Sequence, residues 1–426
     1  MASLGVVSSW YVPQAGVNAE RFSKSARSDR LKRPIGAVKE WFTFSNSPPL
    51  FSKMNLTRTA YGTWSGGRFM HYGEQLSEEH YMQLMRDSFH KGVRTFVTAD
   101  VYGVGRADAL LGEALKGIPR EEYCLVGIIG HDIYEGIRQG SKGYPRFTDP
   151  TLRGPEKYYD YLKMAAEKSL ERCQTSKFDL LMLHNPDSIS YTSEKVWEAF
   201  TQIREEGLTE RLGIAPGPAN GFTLDMIECF ERYGDRMDWA MIILNPFEPW
   251  PGQHVLAAAE KNKIDIMARV VDYGGLFHDD VKPGHKFRDG DHRTHRPGDW
   301  IEHGVEKLEK VRPIATKHGL TMLQLACLWT LGNTAVKSVV PTLIQEHGEG
   351  ARTIESKLDE LAALPKQCLS SEEIQAIRHI GDNTGCMTLK GASSRHPADM
   401  EARAEEWPMR DELKVLAGRF GLQWAW

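Results

Sequence analysis

The sequence predicts an α/β chain folded as a (β/α)8 TIM barrel, with an N-terminal leader and a C-terminal extension. Three observations lead there. About eight short apolar segments alternate with stretches of helical periodicity from Thr57 onward, the pattern of repeated βα units. The strands are apolar almost continuously rather than at every second residue, as expected of a parallel sheet covered by helices. No GxGxxG follows the first strand, which argues against an open dinucleotide-binding sheet.

Taken in order, a first strand leads into Gly62-Thr63-Trp64, and Ser77-Glu78-Glu79 supplies the N-cap of a helix. Val93 to Thr98 forms a strand, Asp100 to Arg106 a polar turn, and Ala107, Leu110, Leu111, Ala114 and Leu115 mark a helical face. The run 123–129 is a buried strand, followed by a long loop rich in Gly, Pro and charge (130–153) and a helix from Pro155 to about Cys173. Strands at 178–184, 211–215, 239–244 and 263–271 alternate with helices at 193–206, 222–233 and 253–262. After a loop at 272–298 come helices at 299–318 and 321–331 and a last strand at 335–341. The barrel is placed at 56–382, with residues 1–55 before it and an extension at 383–426 expected to fold back over it.

Composition narrows the class. A chain of 426 residues, 41% hydrophobic and 26% charged, buries a large core, and a net charge of −4 advertises no polyanion-binding surface, so nucleic acid is not an expected partner. The six cysteines are far apart with no CxxC pair, as in a reducing compartment. No apolar run approaches the roughly 18–20 residues of a membrane span. These features predict a soluble intracellular protein. The Arg- and Ser-rich, acid-poor residues 1–55 are read as a disordered leader preceding a start near Met54, which places the protein in the cytoplasm. Read instead as a transit peptide, they place it in an organelle.

The segment TFVTADVYG (95–103) with LLGEAL (110–115) resembles the aldo/keto reductase family. So do GTW (62–64), FDLLMLHNPD (178–187), LGI (212–214), LN (244–245), IMARVVDYGGLF (266–277), KFRDGDHR (286–293), GLTMLQLACLWTL (319–331) and VVP (339–341). The resemblance runs from about Leu56 to Ile380 and implies a barrel that binds NADP and reduces a small carbonyl or sugar. In that chemistry a tyrosine protonates the alkoxide formed by hydride addition, a lysine paired to an aspartate lowers the tyrosine's pKa, and a histidine orients the carbonyl. Tyr102 matches the tyrosine and His184 the histidine. Val97 stands where the aspartate belongs and Ile128 where the lysine belongs. There is no lysine between Lys116 and Lys142 and no aspartate between Asp87 and Asp100. A buried lysine without its carboxylate costs ~3–5 kcal/mol, so loss of both together is coherent. A phenol without the cation stays near its ordinary pKa of about 10. His131-Asp132 are the nearest candidates by sequence to assist it, with His131 as a third catalytic residue.

The resemblance also marks Thr63, Trp64, Asn245 and Arg269 as cofactor-facing, with Arg352 and Lys357 suited to a 2′-phosphate. Ala215-Pro216 replace the family's Ser-Asn, Met241 its glutamine and Thr342 its glycine, and a longer loop follows (344–358). Two other readings stay open. One is a redox-neutral lyase, epimerase or isomerase acting on a polyol or keto-sugar through Tyr102, His131, His184 and Asp272. The other is a non-catalytic relative that binds a nicotinamide or a partner. The loop 272–293 carries His278, Asp279, Asp280, His285 and His292 at spacings that match no defined metal motif, and it is read as an ordinary polar loop with no metal.

Overall fold

The computed structural model describes residues 55–139, 143–217, 223–249, 252–296 and 298–381, together with 415–416 and 418–419. The proposed leader and nearly all of the extension lie outside these. Eight parallel strands run in sequence order: β1 (Ala60–Gly62), β2 (Thr95–Ala99), β3 (Cys124–Ile129), β4 (Leu180–His184), β5 (Leu212–Ala215), β6 (Trp239–Ile243), β7 (Asp265–Arg269) and β8 (Val336–Val340). A bridge from Thr59 to Val339 and the bond from Val339 N to the Arg58 carbonyl at 2.9 Å bring the last strand back to the first. The predicted (β/α)8 TIM barrel is what forms.

The continuous apolar strands have a simple cause. Side chains alternate between two faces, and both faces are dry. Val97, Ala99, Val126, Ile128, Leu180, Met182, Trp239, Met241, Met267 and Val340 fill the barrel interior as one cluster. Phe96, Leu125, Ile129, Leu181, Leu183, Ile214, Ile242 and Ile266 belong to a second, larger cluster with the surrounding helices. These are α1 (Glu78–His90), α2 (Arg106–Ala114), α3 (Tyr158–Arg172), a short α4 (Ser188–Thr192), α5 (Glu194–Glu205), α6 (Thr223–Tyr233), α7 (Gly252–Asn262), α8 (Trp300–Lys317), α9 (Met322–Leu331), α10 (Ile354–Ala362) and α11 (Ser371–Gly381). Gly127 is required where β3 meets Phe178, since a Cβ there would lie 2.4 Å from the ring.

Helix starts follow the capping chemistry. Ser77 Oγ accepts from His80 N at 3.2 Å, and Thr321 with Gln324 closes a reciprocal capping box. The stretch 344–358, expected as a loop, is one only to Thr353. That residue caps Ser356 N, and α10 begins at Ile354. No helix among the described residues is long and apolar enough to cross a membrane. Of the extension, Leu416 is buried, and Arg419 pairs with Glu231 of α6 at 2.9 Å.

Candidate active site

The C-terminal ends of the strands carry the site, as the barrel geometry dictates. After β2 the chain turns sharply, Tyr102 N bonding to Ala99 O at 3.0 Å, and Gly103, Val104 and Gly105 all take positive φ before α2. Val104, β-branched at φ 54°, and Val270, at φ 57° just past β7, are held in a region that costs such residues roughly 1–3 kcal/mol each. Both flank the same mouth.

Four aromatic side chains meet there. The Tyr102 ring stands edge-on to His184 at 5.8 Å and to Trp64 at 6.2 Å, and His184 stands edge-on to His131 at 4.7 Å. His184 ends β4, and His131 follows β3 through Gly130, whose φ of +138° no side chain adopts easily. The structure therefore brings Tyr102, His184 and His131 together. Arg146, on the long loop after β3, donates Nη1 to His131 Nδ1 at 2.9 Å, while Asn185 meets Nε2 at 3.0 Å. Because a guanidinium only donates, Nδ1 must be the unprotonated nitrogen. The ring proton then sits on Nε2, and the Asn185 amide must turn its oxygen toward it.

This wiring settles what His131 can do. Burial, reinforced by Arg146, pushes its pKa down to about 3. Burial also pushes His184 well below its ordinary value, with His131, Arg146 and Arg269 adding to the effect. Both rings are neutral at physiological pH, so His131 places no positive charge beside Tyr102. Asp132 does not assist Tyr102 either. Its Oδ1 accepts from the backbone N–H groups of Tyr134, Glu135 and Gly136, and its other oxygen pairs with buried Arg153. Tyr102 itself is pushed up to about 12 by burial, and the charge of Arg269 is what opposes the rise. Arg269 ends β7, and its Nη2 donates to the Pro216 and Gly217 carbonyls at 3.1 and 2.7 Å. These carbonyls belong to the backbone just past β5.

Below the rings, Val97 and Ile128 are buried in the interior cluster at 0% and 2% exposure, and Tyr102 and Trp64 pack on the same cluster. The floor beneath the rings is hydrocarbon.

The remaining sequence candidates divide. Trp64 stays at the mouth, its Nε1 donating to Thr342 Oγ1 at 3.2 Å. The threonine that stands for glycine is thereby tied to the loop after β1. Thr63 faces away. Its Oγ1 donates to Thr98 Oγ1 at 3.2 Å, and Thr98 in turn donates to Asp108 of α2 at 2.7 Å. Asn245 is saturated within its own turn, donating to Glu248 and the Val270 carbonyl and accepting from the N–H groups of Phe247 and Glu248. Asp272 braces two loops, accepting from Thr342 N at 2.7 Å and Gly275 N at 2.9 Å. Arg352 reaches the His278 carbonyl and Glu360 with its side chain 32% exposed. Lys357 departs from expectation. It is wholly buried, paired with Asp280 at 2.6 Å and bonded to the Ile344 carbonyl at 2.6 Å, so it does not face a ligand. Sequence reasoning missed Arg146 and Asn185, because a single Arg in an irregular loop carries no periodic signal.

Residues 59–382 match the family model described as "Aldo/keto reductase family" and include every residue placed at the site. The chain belongs to the aldo/keto reductase family. Over 350 residues, 76% of this chain and 93% of the relative, it is 24% identical to the versiconal hemiacetal acetate reductase of Aspergillus parasiticus. A shorter stretch of 144 residues, 34% of this chain, is 29% identical to a probable aldo-keto reductase 1 of Glycine max and spans 37% of that protein. Among solved structures, a glycerol dehydrogenase of Gluconobacter oxydans superposes with a TM-score of 0.60 at 20% identity, covering 76% of this chain and 91% of that one. An aldo/keto reductase of Klebsiella pneumoniae in complex with NADP and acetate gives 0.51 at 19% identity, covering 76% and 90%. Members of the aldo/keto reductase family are oxidoreductases, and the match spans all eight strands of the barrel.

Proposed function

We propose that this protein is an NADP(H)-dependent oxidoreductase acting on a small carbonyl or sugar, with Tyr102 as proton donor. The observation that carries the reading is the edge-on Tyr102–His184 contact at the C-terminal mouth, with the Arg269 guanidinium close enough to oppose the rise of the Tyr102 pKa. The NADP complex of the Klebsiella pneumoniae structure supports the choice of cofactor.

The fit to that cofactor is uneven. Trp64 and Arg269 lie at the mouth beside Tyr102, and Arg352 keeps a partly exposed guanidinium with donors beyond those its partners use. Thr63, Asn245 and Lys357 are engaged internally and offer it nothing. When bound, the nicotinamide supplies the hydride that adds to the carbonyl carbon. The residues of this chain do the rest. Neutral His184 orients the carbonyl oxygen by hydrogen bonding, and as charge grows on that oxygen Tyr102 Oη transfers its proton to it, giving the alcohol. A phenol at about 12 remains able to protonate an alkoxide. The reverse step needs tyrosinate, whose fraction at pH 7 is on the order of 10⁻⁵ for that pKa. Reduction is therefore the direction the site favours.

The hydrocarbon floor at Val97 and Ile128 favours a second reading, redox-neutral acid–base chemistry on a keto-sugar by the same Tyr102 and His184. Titration with NADPH, NADP⁺, NADH and NAD⁺ by tryptophan fluorescence, followed by a panel of carbonyls, separates the two. Saturable binding with a phosphate preference and turnover abolished in Tyr102→Phe supports the oxidoreductase. Absence of binding by any nicotinamide refutes it and directs the search to redox-neutral chemistry.

A further inference from the structure

The loop after β7 and the loop after β8 bring together three side chains from two separate stretches of the sequence. His285 comes from the first, and Glu346 and His347 come from the second. One ligand-type atom from each lies within 4.8 Å of the others. Two of those residues carry a buried ring nitrogen with no hydrogen-bond partner, Nε2 of His285 and Nδ1 of His347. Buried polar atoms are seldom left so, and each needs a cause. Nε2 of His285 stands 3.6 Å from Oε2 of Glu346, too far for a hydrogen bond. It is, however, the separation of two donors on one tetrahedral ion, since bonds of about 2.0–2.2 Å set ligand atoms roughly 3.3–3.6 Å apart.

The surroundings prepare these groups for a cation. Glu346, 1% exposed, is held by Arg293, whose Nη2 donates to Oε2 at 3.1 Å, and Arg293 is held in turn by Asp291 at 2.8 Å. A carboxylate oxygen has lone pairs enough to accept from the guanidinium and still bind an ion, and such outer partners orient a ligand. Around the cluster, Glu346, Asp291 and Asp280 are countered by Arg293 and Lys357, while Arg352 is matched by Glu360. One negative charge is left in excess, which offsets part of an ion's charge.

We infer that His285, Glu346 and His347 form a binding site for a divalent transition metal, of which Zn²⁺ fits best. Two imidazoles and one carboxylate suit zinc, and the fourth position is open to water. The site clasps the β7 loop to the β8 loop, and it stands independently of the reaction proposed at Tyr102.

The test uses the full-length chain stripped with a chelator and dialysed, then titrated with Zn²⁺ by calorimetry. One equivalent binds, the thermal midpoint rises with Zn²⁺ concentration, and Co²⁺ in its place gives the strong visible bands of a tetrahedral ion. His285→Ala and His347→Ala each weaken binding at least 100-fold, with far-UV circular dichroism and the metal-free midpoint as checks on folding. His303→Ala, on the exposed face of α8, leaves binding unchanged. Absence of stoichiometric binding overturns the site, as does affinity that both variants retain, which marks adventitious surface histidines. Should the variants fail to fold, the Co²⁺ spectrum of the unaltered chain still decides: weak octahedral bands alone overturn it.

Discussion

Introducing a charge pair into the apolar floor at Val97 and Ile128 probes the site most directly. Val97 lies opposite Val126 on β3, so Ile128 is its neighbour two residues further along the same inward face. Diagonal neighbours of this kind lie about 7–8 Å apart, within reach of a lysine side chain. Both positions are fully dry at 0% and 2% exposure. Ile128→Lys alone therefore places an unpaired ammonium in hydrocarbon, at a cost of about 3–5 kcal/mol, a large share of the total stability of an ordinary domain. Val97→Asp alone behaves similarly, with the carboxyl protonating instead. The double variant pairs the two, and its loss should fall short of the sum of the singles by at least ~1 kcal/mol. The new cation also lies below Tyr102, so its pKa falls from about 12 and alcohol oxidation begins at a lower pH. Equilibrium unfolding in urea measures the first effect and a pH–rate profile in the oxidative direction the second. A double variant that loses as much as both singles together would refute the placement of these two side chains. So would Ile128→Lys at full stability.

The remaining predictions follow from the same geometry. Because burial depresses His131 to about 3, below its unfolded value of about 6.5, the unfolded state takes up its proton first. Stability should therefore fall as pH drops through that window, by about 2 kcal/mol from this ring at pH 5. His131→Gln should flatten the acid limb of a stability–pH curve, and an unaltered limb would show the ring is not held neutral. Lys357→Met strands buried Asp280, so chemical denaturation should reveal a loss of about 3–5 kcal/mol. The NADPH-to-NADH affinity ratio should stay near that of the unaltered chain, whereas Arg352→Ala should lower it; a selective fall in Lys357→Met would contradict the internal role. In the unaltered enzyme, alcohol oxidation should rise about tenfold per pH unit across the alkaline range below 12, as the tyrosinate fraction does, and a flat profile would place the proton elsewhere.

What the sequence determined by itself was the barrel and which residues end its strands. Apolar runs such as Leu180–His184 are legible because a strand buried on both faces must be apolar throughout, and strand ends face the mouth by topology. The approach of Tyr102 to His184 was legible for that reason, and so was the apolar interior at Val97 and Ile128. Tertiary structure alone decided the environment of each group. Lys357 reads as a phosphate ligand until Asp280 is found beside it, and Asn245 as a cofactor contact until its own turn saturates its amide. His131 reads as a helper until burial, with Arg146 beside it, makes its protonation unfavourable. His285 shares no motif spacing with His347, and only the approach of two loops sets their imidazoles together beside Glu346. Periodicity records burial along one element, whereas charge, protonation and ligation depend on groups arriving from different elements, which no local pattern encodes.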